Sequence, residues 1–156
     1  MKLRHILYLL LTLTLPLLLT SCEKEDDVNE IFVSGTWNVG NFYHGGQWSK
    51  YENDGAKVKY TREEDIKALN AMTITFNEDG SFQGKTSAGT FTGKWAVDGK
   101  KRTISITQLR GNASMGKSKE FIDALKNAAY YKGDSNYLKL APEDKKSYVQ
   151  LGHYSK

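Results

Sequence analysis

The stretch Met72-Thr-Ile-Thr-Phe-Asn-Glu-Asp-Gly-Ser-Phe-Gln-Gly-Lys85 decides the fold. Met72, Ile74 and Phe76 alternate with threonines, Asn77 to Gly80 is turn chemistry, and Ser81 to Lys85 returns, which reads as two strands joined by a tight turn. Alternation gives each strand one apolar and one polar face, as in antiparallel sheets with a dry side and a wet side. The period continues through Thr90-Phe-Thr-Gly-Lys-Trp-Ala-Val97, with Phe91, Trp95 and Val97 on one face and a departure at Gly93. Asp98-Gly99 is the strongest short hairpin signal in the chain, and Thr103-Ile-Ser-Ile-Thr-Gln-Leu109 follows with period two.

Moving outward, the period switches to helical at Phe121, Ile122, Leu125 and Ala128/Ala129. Tyr130-Tyr131-Lys132, a Gly133-Asp134-Ser135 turn, Tyr137 to Leu140, a Pro142-Glu-Asp turn and Tyr148 to Leu151 then make a closing meander. On the N-terminal side, Ile31 to Val39 reads as an opening strand with Trp37 as a core anchor. Asn41 to Gly55 reads as a second strand with an irregular loop. Thr61 is placed to cap a short helix, with Glu64 at the capping-box position. The expected fold over 31–156 is therefore mainly β (α+β): a single curled antiparallel sheet or small barrel, with one helix packed before the last three strands.

The start of the chain is of another kind. Lys2 and Arg4 precede an apolar run from Ile6 to Leu19, a basic segment and a hydrophobic core too short to span a bilayer comfortably. It ends Leu19-Thr20-Ser21-Cys22, which resembles the lipobox of bacterial lipoproteins. Residues 1–21 are thus expected to be a signal peptide and Cys22 the lipidated residue, anchoring the protein to a membrane. Cys22 is the single cysteine, so no intrachain disulfide is available. Residues 22–30 read as an acidic, disordered tether, and within it Lys24-Glu25-Asp26 resembles the export signal of surface lipoproteins of Bacteroidetes. Outer-membrane attachment is the expected location, facing the periplasm or outward. Removing the leader takes away Lys2 and Arg4, so the formal charge of +4 falls by two. With acids interspersed among the bases, no nucleic-acid footprint is present.

Chemistry-bearing motifs are few. Gly111-Asn-Ala-Ser-Met-Gly116-Lys117-Ser118 matches the Walker A pattern literally. A P-loop, however, needs a parallel sheet of near-continuous apolar strands, and Ile104 and Ile106 alternate with polar residues. The preferred reading is a glycine-containing loop whose serine caps the next helix. Ser114 lacks the first glycine of a nucleophile elbow, because Asn112 stands there. His44 and His153 have no ligand-like neighbours at metal spacing, and Glu63, Glu64 and Asp65 suit the acidic first turn of a helix. No catalytic residue, metal or cofactor is expected. Among the aromatics, 12% of the chain, the tryptophans suit a core. For Tyr43, Trp48 and Tyr51, in a glycine-rich stretch, core packing and a binding surface stay open side by side.

From Gly35 to Leu151 the order of features resembles the META (HslJ-like) domain of bacterial envelope lipoproteins. Gly35-Thr36-Trp37 is similar to its first strand, Ile74 to Gly84 to its strand, turn and glycine, Phe91-Thr92-Gly93 to its Phe-x-Gly, and Glu120 to Leu125 to its helix. Ser87-Ala88-Gly89 departs from the family's Gly-Cys-Asn, so cysteine-based properties do not carry over. The resemblance implies an envelope protein, motility- or stress-related, without established catalytic residues. Gly35-x-Trp37 also resembles the opening of lipocalin-like domains, which implies a small apolar ligand. The expected function is a non-enzymatic envelope lipoprotein with a structural or protein-interaction role, the alternative a lipocalin-like binder.

Overall fold

The computed structural model describes residues 26–48, 55–111 and 113–154. Within them lie three helices, α1 (Val28–Phe32), α2 (Glu63–Asn70) and α3 (Gly116–Lys126). Nine strands accompany them: β1 (Thr36–His44), β2 (Lys57–Val58), β3 (Thr73–Phe76), β4 (Ser81–Thr86), β5 (Gly89–Asp98), β6 (Thr103–Arg110), β7 (Tyr130–Gly133), β8 (Tyr137–Ala141) and β9 (Ser147–Gly152). All pairings are antiparallel, in the order β2-β1-β3-β4-β5-β6-β7-β8-β9, and β1 also pairs with β9. One edge of β1 is shared by β3 at Thr36–Asn38 and β2 at Tyr43–His44, and the other takes β9. The curled antiparallel sheet expected from the alternation is therefore present, and it closes on itself. Eight strands in such a closure leave room for little more than side chains.

Those side chains are aromatic. Trp37, Phe76, Phe82, Phe91, Trp95 and Tyr131 are all buried, with Val39, Ile74, Leu138, Leu140, Val149 and Leu151 between them. Gly93, where the alternation departs, sits at a register shift between Thr92 and Lys94. It faces Phe82 directly across the ladder, as Gly84 faces Phe91. A Cβ at Gly93 would lie 2.3 Å from the Phe82 ring, and one at Gly84 would lie 2.1 Å from the Phe91 ring. Each ring thus occupies the space that its cross-strand partner leaves empty.

Strand directions alternate, so α1 and the turns after β3, β5 and β7 gather at one end of the barrel. Helices α2 and α3 and the β8–β9 turn gather at the other. Helix α3 closes that far end with Phe121, Ile122 and Leu125, the periodic apolar residues of the sequence, and Phe121 meets Phe91 edge-on at 5.8 Å. It lies in the connection between β6 and β7, whose ladder is reduced to Thr103↔Tyr130 and two flanking backbone bonds.

Several local expectations need correction. Residues 31–35 are not strand: Asp27 caps α1 by accepting from the Glu30 amide at 3.1 Å, and the helix drops Phe32 into the barrel mouth. Residues 26–30, read as part of a disordered tether, are consequently held against the barrel. Asn41 to His44 do not form a second strand but continue β1 beyond a bulge at Gly40. There the Asn41 side chain accepts from the Tyr60 amide and donates to the Tyr60 carbonyl, which ties down the 57–60 segment. The α2 cap position is Arg62, not Thr61, and its guanidinium bonds Asp65 instead of a capping box forming with Glu64. Asp98-Gly99 opens a four-residue loop rather than a two-residue hairpin: Asp98 accepts from the Lys101 amide and Arg102 takes φ +55°.

Candidate functional site

The barrel mouth at the α1 end is built around Phe32, which has no exposed surface. Its ring stacks on Trp95 at 5.1 Å and meets Phe76 and Tyr131 edge-on at 5.2 and 5.0 Å, while its carbonyl accepts from the Trp37 indole at 3.1 Å. Asp26, which the sequence reading placed in a Lys24-Glu25-Asp26 export signal, latches this plug. It takes a two-pronged bond from Arg102, both contacts at 2.9 Å, and accepts from the Tyr131 hydroxyl at 3.1 Å. Burial first, then the Asp26 charge, pushes the Tyr131 phenol up from its ordinary range. Cys22, Lys24 and Glu25 lie outside the described residues, as does Tyr51.

At the opposite end, a groove of about 770 Å³ runs between the outer side of α3 and the ends of β1, β8 and β9. Its floor is apolar, from Phe42, Leu140, Tyr148 and Val149. Its rim is acidic, from Glu120, Asp123, Glu143 and Asp144. Among the described residues Lys59 is the one lining lysine or arginine, and it is bonded to Glu120 at 2.7 Å. Glu120 also accepts from the Tyr60 hydroxyl at 2.7 Å. Burial, reinforced by that bond, pushes the Tyr60 phenol up to about 12. His44 lines the groove, exposed.

The structure brings two of the three open aromatics together. Tyr43 stacks on Tyr148 at 4.8 Å and lines the groove, and Trp48 meets the same Tyr148 edge-on at 6.0 Å. Lys139 lies over Tyr148 at 4.7 Å and Lys132 over Trp48 at 4.4 Å, so the stack is a ladder of rings and cations on the outer wall. Sequence reasoning missed Tyr148 and Lys139, although the alternation in β8 and β9 does place Lys139 on the face opposite Leu138 and Leu140.

The Walker-like segment folds to other ends. Ser118 does not cap α3: the cap position is Met115, and Ser118 is buried inside the helix, 2.8 Å from the Ser87 hydroxyl. The Lys117 ammonium lies 2.7 Å from Asp65, which Arg62 also bonds. The Arg62 bond, with Lys117 second, holds the Asp65 carboxyl below the usual range. A lysine committed to a carboxylate is poorly placed to meet phosphate. Glu63 and Glu64 do lie in the first turn of α2. His153 stacks on Trp37 at 4.1 Å, within bonding distance of Ser34 and the Thr36 carbonyl. Among the described residues, no three His, Cys, Asp or Glu side chains assemble as a metal site, and no helix is long and apolar enough to cross a membrane.

The raised phenols of Tyr60 and Tyr131 set an alkaline limit. A phenol whose folded pKa lies above its unfolded value of 10 adds stability that is complete below pH 10 and lost as the pH climbs through the folded value. The thermal midpoint should fall between pH 10 and 12, and Tyr60→Phe should flatten part of that fall. A midpoint independent of pH across this range would contradict the assigned bonds.

The family profile matching residues 23–153 is described as a domain of unknown function, DUF4847. The chain is 39% identical to a DUF4847 family protein from Bacteroides vulgatus ATCC 8482, whose crystal structure superposes with a TM-score of 0.72 over 83% of this chain and 99% of that one. A protein from Burkholderia xenovorans, solved by NMR, shares the fold at 11% identity, with a TM-score of 0.54 over 80% of this chain and 85% of that one. No curated protein matches the chain. The matching profile is not that of the META (HslJ-like) family whose order of features the chain resembles.

Proposed function

The chain belongs to the DUF4847 family, whose description carries no activity, and from its N-terminal sequence and its site we propose a lipid-anchored, non-enzymatic envelope protein that docks a protein partner. Cys22 carries the lipid in this reading, and the outer membrane is the location. The observation that supports it is the polarity of the molecule. The chain leaves the barrel through Asp26, four residues after Cys22, at one end. The apolar-floored, acid-rimmed groove opens at the other. An anchored domain built this way holds its concave surface away from the membrane. The META-like order of features points to the same compartment.

The floor suits apolar side chains and the rim suits a segment carrying lysine or arginine, the composition of an interface with a dry centre and a charged edge. A small apolar ligand, the lipocalin-like alternative, would use this groove as well, since aromatic rings fill the barrel interior.

One experiment separates the parts of the proposal. Cells expressing the wild type, Cys22→Ser or Ala124→Trp are labelled with radioactive palmitate and crosslinked. Cys22→Ser should lose the label and leave the membrane fraction. Ala124→Trp, which fills the groove from α3, should keep both and lose its crosslinked partner. Label retained on Cys22→Ser would sink the anchoring, and an unchanged crosslink on Ala124→Trp would sink the groove.

A further inference from the structure

The N-terminal segment is held to the barrel at three successive points. Asp26 takes the two-pronged bond from Arg102 and accepts from the Tyr131 hydroxyl, and its side chain is only 15% exposed. Asp27 caps α1 through the Glu30 amide. The Phe32 ring, at the other end of that helix, is fully buried. No slack is left between Asp26 and the domain.

Cys22 stands four residues before Asp26. Even fully extended, four residues reach only about 14 Å. β5 runs from Gly89 at the far end of the barrel to Asp98, just before the loop that carries Arg102. Its 10 residues span roughly 30 Å. A lipid on Cys22 therefore reaches one end of the barrel and falls well short of the other. Part of its reach also lies inside the headgroup layer, which is about 5–8 Å deep.

Two connections flank the exit of the chain. Asp26, Asp27 and Glu30 share a concavity of about 420 Å³ with Arg102 of the β5–β6 loop and Asp134 of the β7–β8 turn. Lys100 and Lys101 are exposed on the loop, and Asp134 and Asn136 on the turn. Both signs of charge are thus presented side by side, which suits headgroups that carry a phosphate and an ammonium together.

We propose that the α1 end of the barrel docks on the zwitterionic headgroups of the membrane that holds the anchor, through the β5–β6 loop and the β7–β8 turn. The proposal rests on the reading of Cys22 as lipidated and goes beyond it. A lipid on a long, loose tether would let the domain tumble, whereas the Asp26 latch shortens the link until one chosen face meets the bilayer.

The test uses the lipidated protein, reconstituted in phosphatidylcholine vesicles that contain a lipid with a nitroxide on its headgroup. Cys22 is the single cysteine, so a cysteine added elsewhere can be labelled alone with a fluorophore. Lys100→Cys and Asn136→Cys report on the docking face. Ala88→Cys, exposed in the β4–β5 turn just before Gly89, reports on the far end. Unchanged thermal midpoints serve as the control for folding. Nitroxide quenching at positions 100 and 136 should exceed that at 88 several-fold. A Gly/Ser insert of about twelve residues between Glu25 and Asp26 adds a flexible reach of roughly 20 Å. It should lower quenching at 100 and 136 toward the value at 88. Equal quenching at the three positions, or quenching at 100 that survives the insert, would overturn the docking while leaving the anchor intact. Palmitate label is scored on the same samples; its absence would sink the anchor itself, and the docking with it.

Discussion

Replacing Phe32 with alanine should cost about 3–5 kcal/mol, a large fraction of the ~5–15 kcal/mol that holds an ordinary domain together. Phe32 is fully buried and its ring touches three others, from Phe76, Trp95 and Tyr131. Truncation leaves a void between rigid strands that have already closed into a barrel, so the neighbours can collapse only partly. Thermal unfolding should register a drop of roughly 10 °C or more. Phe32→Leu, which keeps most of the volume, should cost about 1.5 kcal/mol or less. The outcome distinguishes two views of the N-terminal segment. If alanine leaves the midpoint where it was, α1 is a passenger of the tether; the predicted drop makes it part of the domain.

The second large effect concerns the two interior glycines, and it separates them. Alanine at either position overpacks the barrel, at a cost of about 1–3 kcal/mol, occasionally more. At Gly93 the obstruction is chiefly the tip of the Phe82 ring, at 2.3 Å, with backbone no closer than 3.0 Å. Trimming that ring should therefore restore part of the loss, and Gly93→Ala combined with Phe82→Leu should be less destabilised than the sum of the single changes. At Gly84 the new Cβ would lie 2.1 Å from the Phe91 ring and also 2.4 Å from the Thr73 carbonyl oxygen. No side-chain substitution moves that oxygen, so Gly84→Ala should resist rescue by Phe91→Leu. Denaturant unfolding of the four single and two double variants gives the coupling energies directly. Equal rescue at both sites would refute the distinction.

Most of the barrel was legible because its strands keep one face dry. Ile74, Phe76, Phe82, Phe91 and Trp95 alternate cleanly and point inward where the period places them. What escaped was decided by contacts between distant parts of the chain. Asp26 looks like any solvated acid until Arg102, on a loop 76 residues away, supplies a partner. The strand-like run Ile31-Phe32-Val33 has a composition that suits a sheet, but the site it fills is the barrel mouth, which it enters at the end of a short helix. The sequence left open whether the curled sheet closes into a barrel, since pairing of β1 with β9 depends on curvature accumulated over all the strands between. The candidate surface was half legible. Tyr43 and Trp48 do converge, yet through Tyr148, a partner about a hundred residues further along the chain.

The pairing of the first strand with the last also imposes an order on events. Residues 38–44 find their partner in residues 147–152, so no shorter N-terminal fragment can complete the hydrogen-bond ladder. Until those final residues are available, β1 and β8 both keep an open side and the interior cannot be sealed. The same dependence makes the C-terminus the vulnerable point: losing the last strand would leave two unpaired edges, each a template for another molecule.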